Sequence, residues 1–331
     1  MNVDMKVLEA LTIERDIPLD RLITAIEIAV KSAYNEMEGA KPFAHAKLDL
    51  VTGEIKILIP VFGPDGEKVD EISDEPEGFS RIASSTARKI IKEKMRESKD
   101  LEIVGEFSAT VGDIVSGVIQ QGRDQKMVYI DLGRVEGKIP PHEQVPGEIY
   151  KHGDRIKSFV VDVKQGQKGP EVLLSRSHPA LVKQLFALEV PEIRDRIVEI
   201  MGIAREAGQR SKIAVRAHRA GVSPKGALIG RMGARARAVM DELHGEKIDI
   251  VDWSDDPATY VGNALAPARV SSVEVVNIDT RSAKVVVPDY QLSLAIGKDG
   301  QNARLAARLT GWRIDIHSDG ATSGSEASEV S

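Results

Sequence analysis

Leu228-Ile229-Gly230-Arg231-Met232-Gly233-Ala234 recurs further along the chain as Ala295-Ile296-Gly297-Lys298-Asp299-Gly300-Gln301. Both glycines step by the same 67 residues, 230 to 297 and 233 to 300. An apolar run precedes each copy and an Arg/Ala-rich helical run follows it. Each copy closes on a short strand-like segment, Lys247-Ile248-Asp249-Ile250-Val251 in the first and Arg313-Ile314-Asp315-Ile316 in the second. A lone G-x-x-G is an ordinary turn signal. Two copies in matching surroundings mark a repeated module.

Glycine lets the backbone approach a ligand with no Cβ in the way. A helix that starts at Ala234 or Gln301 presents unpaired N–H groups and the positive end of its dipole to the loop, a setting that suits phosphate. Arg231 and Lys298 add charge within the loops, and Arg235, Arg237 and Arg304 follow on the next turns. Helix–GxxG–helix followed by a strand is the KH arrangement, whose loop clamps the backbone of about four nucleotides. The candidate RNA-binding residues are therefore Ile229, Gly230, Arg231, Met232, Gly233, Arg235 and Arg237, and Ile296, Gly297, Lys298, Asp299, Gly300, Gln301, Asn302 and Arg304. A tight helix–helix turn without a ligand is the default for one such copy and the minority reading for two.

The charge distribution agrees. The 331 residues carry a net charge of −6, which taken whole argues against a nucleic-acid coat protein. Residues 1–100 hold 15 Lys+Arg against 20 Asp+Glu, whereas residues 176–251 hold 14 against 9. The basic block coincides with the first G-x-x-G, where a phosphate-binding surface is wanted. With no cysteine, disulfides, thiolate metal sites and cysteine nucleophiles are excluded. The acidic start resembles no signal peptide, and no apolar run approaches a membrane span. The expectation is a cytoplasmic protein with no membrane partner.

Upstream, Leu22, Ile26, Ala29, Val30, Ala33 and Tyr34 form one helical stripe, residues 46–59 read as a hairpin around Thr52-Gly53, and residues 60–78 read as an acidic loop. A long helix opens at Phe79. Between residues 101 and 175 the period changes to short strands, Val111–Ile119, Lys126–Leu132, Lys157–Val163 and Val172–Leu174, which suggests a small closed barrel of the OB type. Asp131-Leu132-Gly133-Arg134-Val135-Glu136-Gly137 resembles the S1 RNA-binding family. Base stacking is worth ~1–3 kcal/mol per base, and only Tyr129, with Phe159 and His142, offers rings here, so weak RNA binding or a scaffold role is expected of the barrel. Residues 176–316 read as helix, strand, strand, helix, helix, strand, twice, with Pro191–Glu199 as the first helix and Asp256-Pro257 capping its second-copy counterpart.

Other chemistries fail on their spacing. Gly221 to Gly226 has P-loop glycines, but Ala227-Leu228 stand where Lys and Ser/Thr are required. Asp252, Asp255 and Asp256 lack the glycine of a calcium loop and precede Pro257, a helix-start signature. The seven histidines show no metal-ligand spacing. No catalytic, metal or cofactor site is expected.

The whole order of modules resembles the NusA family of bacterial transcription elongation, termination and antitermination factors. The resemblance rests on Glu189-Val190-Pro191-Glu192-Ile193, Ala204-Arg205-Glu206 with Lys212-Ile213-Ala214-Val215, Gly245-Glu246-Lys247-Ile248-Asp249-Ile250-Val251, Asn263-Ala264-Leu265-Ala266-Pro267-Ala268, Leu292-Ser293-Leu294-Ala295-Ile296-Gly297 and Gly300-Gln301-Asn302-Ala303-Arg304-Leu305-Ala306-Ala307, with Arg81-Ile82-Ala83 and Thr86-Ala87 near the front. It implies a multidomain α+β chain: an N-terminal α/β RNA-polymerase-binding domain (1–104), an S1 β-barrel (105–178), two bacterial-type KH domains (179–252 and 253–317) and a disordered tail (318–331). It also implies a non-enzymatic monomer that docks on RNA polymerase core near the RNA exit, holds nascent single-stranded RNA and meets other elongation or antitermination factors. The alternative is the RNA-holding module of an RNA-degradation or ribosome-associated system without polymerase contact. Some members carry further acidic repeats, which this sequence does not show after the second module.

Overall fold

The computed structural model describes residues 3–322 apart from 16, 123, 167 and 168. The chain forms two compact units, residues 1–106 with 164–170, and residues 107–163 with the remainder from 171 on.

In the first unit, α1 (Met5–Arg15) and α2 (Leu19–Asn35) precede a sheet of β1 (His45–Leu48), β2 (Ile55–Phe62) and β3 (Lys68–Asp74), and α3 (Phe79–Ser108) follows. The stripe of α2 is the core: Leu22, Ile26, Val30 and Tyr34, one turn apart, are fully buried against Leu8, Ile57, Phe79, Ala83 and Ala87. The rings of Tyr34 and Phe79 meet edge to face, with centroids 6.1 Å apart. The segment expected to be a loop at 60–78 is mostly strand. β2 continues through Pro60, which lies opposite Glu71 of β3 and beyond the end of the β1 pairing at His45↔Leu58. Gly63 and Gly66 close a turn, and β3, at the sheet edge, carries four charged residues, Lys68, Asp70, Glu71 and Asp74, as edge strands do. The helix α3 runs four residues past the domain limit expected at 104, because its apolar positions continue to buried Ile103 and Phe107.

The second unit starts with a closed barrel of β4 (Ile114–Gln120), β5 (Val128–Asp131), β6 (Glu136–Ile139), β7 (Arg155–Gly166) and β8 (Gly169–Ser175), in the order β4-β5-β6-β8-β7. All the pairings with a defined register are antiparallel except β6 with β8. The strand β6, hidden in sequence among glycines, packs at Gly137, where a Cβ would lie 2.4 Å from Leu174 Cδ1. Of the three candidate rings, His142 is exposed and Tyr129 half-buried, but Phe159 is buried and stacked on His178 at 4.5 Å, facing the helix that follows rather than solvent.

Two modules follow. The first comprises α4 (Pro179–Glu189), α5 (Pro191–Arg194), β9 (Val198–Glu206), β10 (Arg210–Ala217), α6 (Pro224–Ile229), α7 (Ala234–Glu242) and β11 (Lys247–Asp252). The second comprises α8 (Pro257–Ala264), β12 (Ser272–Asn277), β13 (Ser282–Val287), α9 (Leu292–Ile296), α10 (Gln301–Thr310) and β14 (Arg313–Ser318), followed by a turn of helix, α11 (Asp319–Thr322). In each, the central strand pairs antiparallel with the first and parallel with the last, in matching register: Arg210↔Lys247 and Ser282↔Arg313. The opening helix of the first module lies earlier than Pro191–Glu199. His178 caps α4 by accepting from the Ala180 N–H, and Pro191 splits off the single turn α5, leaving Val198 and Glu199 to the sheet. The cap at Asp256 stands as read, accepting from the Thr259 N–H at 2.9 Å. Ordered structure continues past the tail boundary at 318, through α11; residues 323–331 of that tail lie outside the described residues.

The three domains of this unit share cores. Phe159, with Ile114 and Val161 of the barrel, packs with Leu181, Val182, Leu185 and Phe186 of α4. Ala204, Ala214 and Val251, on one face of the first sheet, pack with Tyr260, Val261, Ala264 and Leu309 of the second module. Buried apolar surface of this kind is worth about 25 cal/mol per Å², and it welds the two modules into one body.

Candidate nucleic-acid interface

The two G-x-x-G loops are the same object built twice. Gly230 has φ 73° and ψ 177°, and Gly297 has φ 77° and ψ 170°. Met232 and Asp299, the non-glycine residues in left-handed conformation, stand at 52°, 26° and 51°, 28°. Gly233 and Gly300 stand at 77°, 13° and 72°, 13°. The first glycine's backbone conformation is open to almost no other residue. Its site is also closed sterically: a Cβ would lie 2.8 Å from Arg235 Cγ in the first copy and 2.8 Å from the Asn302 backbone N in the second. No side chain caps α7 or α10 at its start, so the first-turn N–H groups of both helices face the loop without a side-chain acceptor.

Around each loop the side chains divide into two sets. Ile229, Arg231 and Met232, and Ile296, Lys298 and Asp299, are exposed, Met232 at 88%. A phosphate on the backbone amides and a base on the neighbouring apolar side chain both find partners on such a surface. The other set holds the scaffold. Arg235 donates to Glu192 at 3.0 Å and to the Ala227 carbonyl at 2.7 Å, tying α7 to α5 and α6. Asn302, at the position matching Arg235, is buried and donates to the carbonyls of Leu265 and Ala295 at 3.0 Å each. Gln301 and Arg304 are drawn across the module boundary to Glu206, at 2.9 and 2.7 Å. Arg237 is exposed, with its guanidinium 3.4 Å from the Met232 carbonyl oxygen. The first loop thus carries two cations, Arg231 and Arg237, that are not in ion pairs among the described residues. In the second, Lys298 sits beside Asp299 and Arg304 is spent on Glu206.

Two residues that the sequence marks only within resemblance motifs, Glu206 and Lys212, join the modules in the structure. Glu206 ends β9. Hydrogen bonds from Arg304 and Gln301 hold its carboxyl below the usual carboxylate range, against a smaller opposing push from burial. Lys212 is fully buried, with Nζ 3.0 Å from Asp249 and 2.5 Å from the carbonyl of Ala266 in the second module. Burial pulls its ammonium below the usual lysine range, and the Asp249 charge opposes that pull. A repeat signal was present: Lys212 faces Asp249 in register as Lys284 faces Asp315.

An S1-type barrel followed by two such modules defines a class, the tandem-KH proteins that bind single-stranded RNA. The profile of the NusA-like first KH domain matches residues 176–253, and that of the NusA-like second KH domain matches 257–323. The transcription termination/antitermination protein NusA of Mycobacterium tuberculosis is 51% identical over 328 residues, covering 96% of this chain and 94% of that protein. The proteins of the same name from Bacillus subtilis and Thermus thermophilus are 42% and 37% identical, each over 95% of this chain and over 91% and 88% of their own lengths. Among solved structures, the N-terminal domain of NusA from Bacillus subtilis is 27% identical, covering 29% of this chain and 97% of that domain, with a TM-score of 0.24. The chain belongs to the NusA family.

Proposed function

We propose that this chain is a transcription factor that docks on RNA polymerase through its N-terminal unit and holds nascent single-stranded RNA on its two KH loops, modulating pausing, termination and antitermination. The observation that carries the RNA half is the repetition of one loop conformation on modules that share a core. Each loop takes about four nucleotides, so the pair takes a single-stranded stretch of roughly eight. Within each loop the exposed residues, Ile229, Arg231 and Met232 or Ile296, Lys298 and Asp299, meet the RNA. Glycines 230, 233, 297 and 300 admit it, while Arg235, Gln301, Asn302 and Arg304 hold the surface in shape. The relatives, matched along nearly the whole chain, are named transcription termination/antitermination proteins, which supports a role in transcription; the polymerase contact is our own step beyond those names. On this reading the protein acts in the cytoplasm as a monomer without catalysis or cofactor. Its domains divide near residues 104, 178, 252 and 317, and other elongation factors reach it on the polymerase.

Crosslinking to a stalled polymerase that carries a nascent transcript tests both halves together. Contacts are expected from the N-terminal unit to polymerase and from both loops to RNA. A chain starting at residue 109, after α3, should keep RNA affinity and lose polymerase association; retention of tight polymerase binding would refute the division of labour.

A further inference from the structure

The turn between β9 and β10 in the first KH module touches three parts of the second unit. Behind it stands the barrel: a Cβ on Gly208 would lie 2.6 Å from Val145 Cγ1 and 3.2 Å from the Pro146 carbonyl oxygen. Beneath it the buried carboxylate of Glu246 accepts from Arg205 Nε at 3.0 Å, from the Gly208 N–H at 2.9 Å and from Ser211 Oγ at 2.6 Å. In front of it, Glu206 reaches into the second module. Its Oε1 accepts from Arg304 Nε at 2.7 Å and lies 3.7 Å from Arg308, and its Oε2 accepts from Gln301 Nε2 at 2.9 Å and Arg304 Nη2 at 3.2 Å.

Arg304 then has one arm left. Its Nη1 donates to the backbone carbonyl of Asp299, 3.1 Å away, at the left-handed residue in the middle of the second loop. The guanidinium is planar and rigid, so a carboxylate gripping one edge fixes where the other edge points. The first loop lacks this support. There Arg237 holds the corresponding position, reaches the Met232 carbonyl only at 3.4 Å, and has no ion pair among the described residues.

We infer that Glu206, on the first KH module, is a positioning residue for the RNA-clamping loop of the second. The barrel and Glu246 brace the turn, the turn carries Glu206, Glu206 orients Arg304, and Arg304 holds the Asp299 carbonyl. The second loop is thereby preorganised by its neighbour, and the two loops bind as one site. The inference rests on the RNA-binding reading above.

Its test turns on sign. Glu206→Gln removes a negative charge beside a phosphate-binding surface, so simple electrostatics demands tighter RNA binding. Positioning demands the reverse, because the neutral amide no longer aligns the guanidinium and the loop must be ordered at the moment of binding. In anisotropy titrations with a ten-nucleotide unstructured RNA at one salt concentration, Glu206→Gln should bind about three- to tenfold more weakly, the scale of part of a charged hydrogen bond. In a Lys298→Asp background the same change should shift affinity less than about twofold, since a shared pathway is not additive. Amide exchange without RNA supplies an independent readout: residues 297–301 should exchange faster in Glu206→Gln while residues 230–234 keep their rates. Equal or tighter binding, equal losses in both backgrounds, or unchanged exchange at 297–301 would each overturn the inference. Failure of the unmodified protein to bind the RNA would instead sink the functional reading, and the exchange arm would still report on the strut.

Discussion

Reversing the charge in each loop, by Arg231→Asp and Lys298→Asp, measures how the two KH modules share RNA. Both residues are exposed and in neither an ion pair nor a core among the described residues, so melting temperatures should move by little. A cation about 4–6 Å from a phosphate in water gains about 0.7–1 kcal/mol, and reversal replaces that gain with an equal repulsion. Each single variant should therefore lose about 1.4–2 kcal/mol, or roughly ten- to thirtyfold in affinity. The loops are not equal in charge. Arg231 works beside Arg237, whereas Lys298 works beside Asp299, so Arg231→Asp should flatten the salt dependence more; removing one cation from a phosphate takes about 0.7 from the log–log slope. The shared core between the modules holds both loops on one body, so RNA bound at one reaches the other at an effective concentration in the ~mM range. Either change alone should abolish most of that advantage. The double variant should then lose less than the two single losses combined. The assay is titration of the four proteins with one unstructured RNA at several salt concentrations, with melting curves for each. Strictly additive losses would mean two independent sites, and unchanged affinity in both single variants would remove the loops from the mechanism.

Within each motif the two glycines should differ: Gly297→Ala, whose Cβ would lie 2.8 Å from the Asn302 backbone N, should cost about 2–3 kcal/mol, and Gly300→Ala, with open space around it, only about 1 kcal/mol of left-handed strain; equal melting shifts would refute the distinction. Asn302→Ala removes the side-chain donor shared by the carbonyls of Leu265 and Ala295 and should cost about 1–3 kcal/mol in denaturant unfolding, with RNA affinity falling as well because Asn302 braces the second loop; an unchanged unfolding midpoint would refute the bracing role. For pH, the Glu206 carboxyl is depressed in the folded protein by Arg304 and Gln301, so its contribution is fully present above the unfolded carboxylate value of about 4.3 and is lost as pH falls through the lower folded value. Glu206→Gln should flatten stability against pH in that acidic window and leave the curve near neutrality parallel to that of the unmodified protein.

What the sequence determined by itself was periodic or repeated. The α2 stripe, the alternating strands and the two G-x-x-G copies repeat at distances set by local backbone geometry, so helix, barrel and loop were legible along with the exposed residues at their centres. The third strand of the N-terminal sheet was not, because an edge strand rich in Lys, Asp and Glu reads as a loop until a partner strand is beside it. Nor was β6, four residues including a glycine and two charges, whose parallel partner β8 and close neighbour Leu174 come from later in the chain. At the candidate site, Arg235, Gln301, Asn302 and Arg304 carried the right chemistry for RNA, but only tertiary structure shows that chemistry already engaged. Asn302 is closed over by Leu265 and Ala295, and Arg304 is claimed by a carboxylate 98 positions away along the chain. Glu206 and Lys212 illustrate the limit most directly: the sequence sets both within resemblance motifs, but a charged residue on a strand takes its role from the module that the folded chain places opposite it.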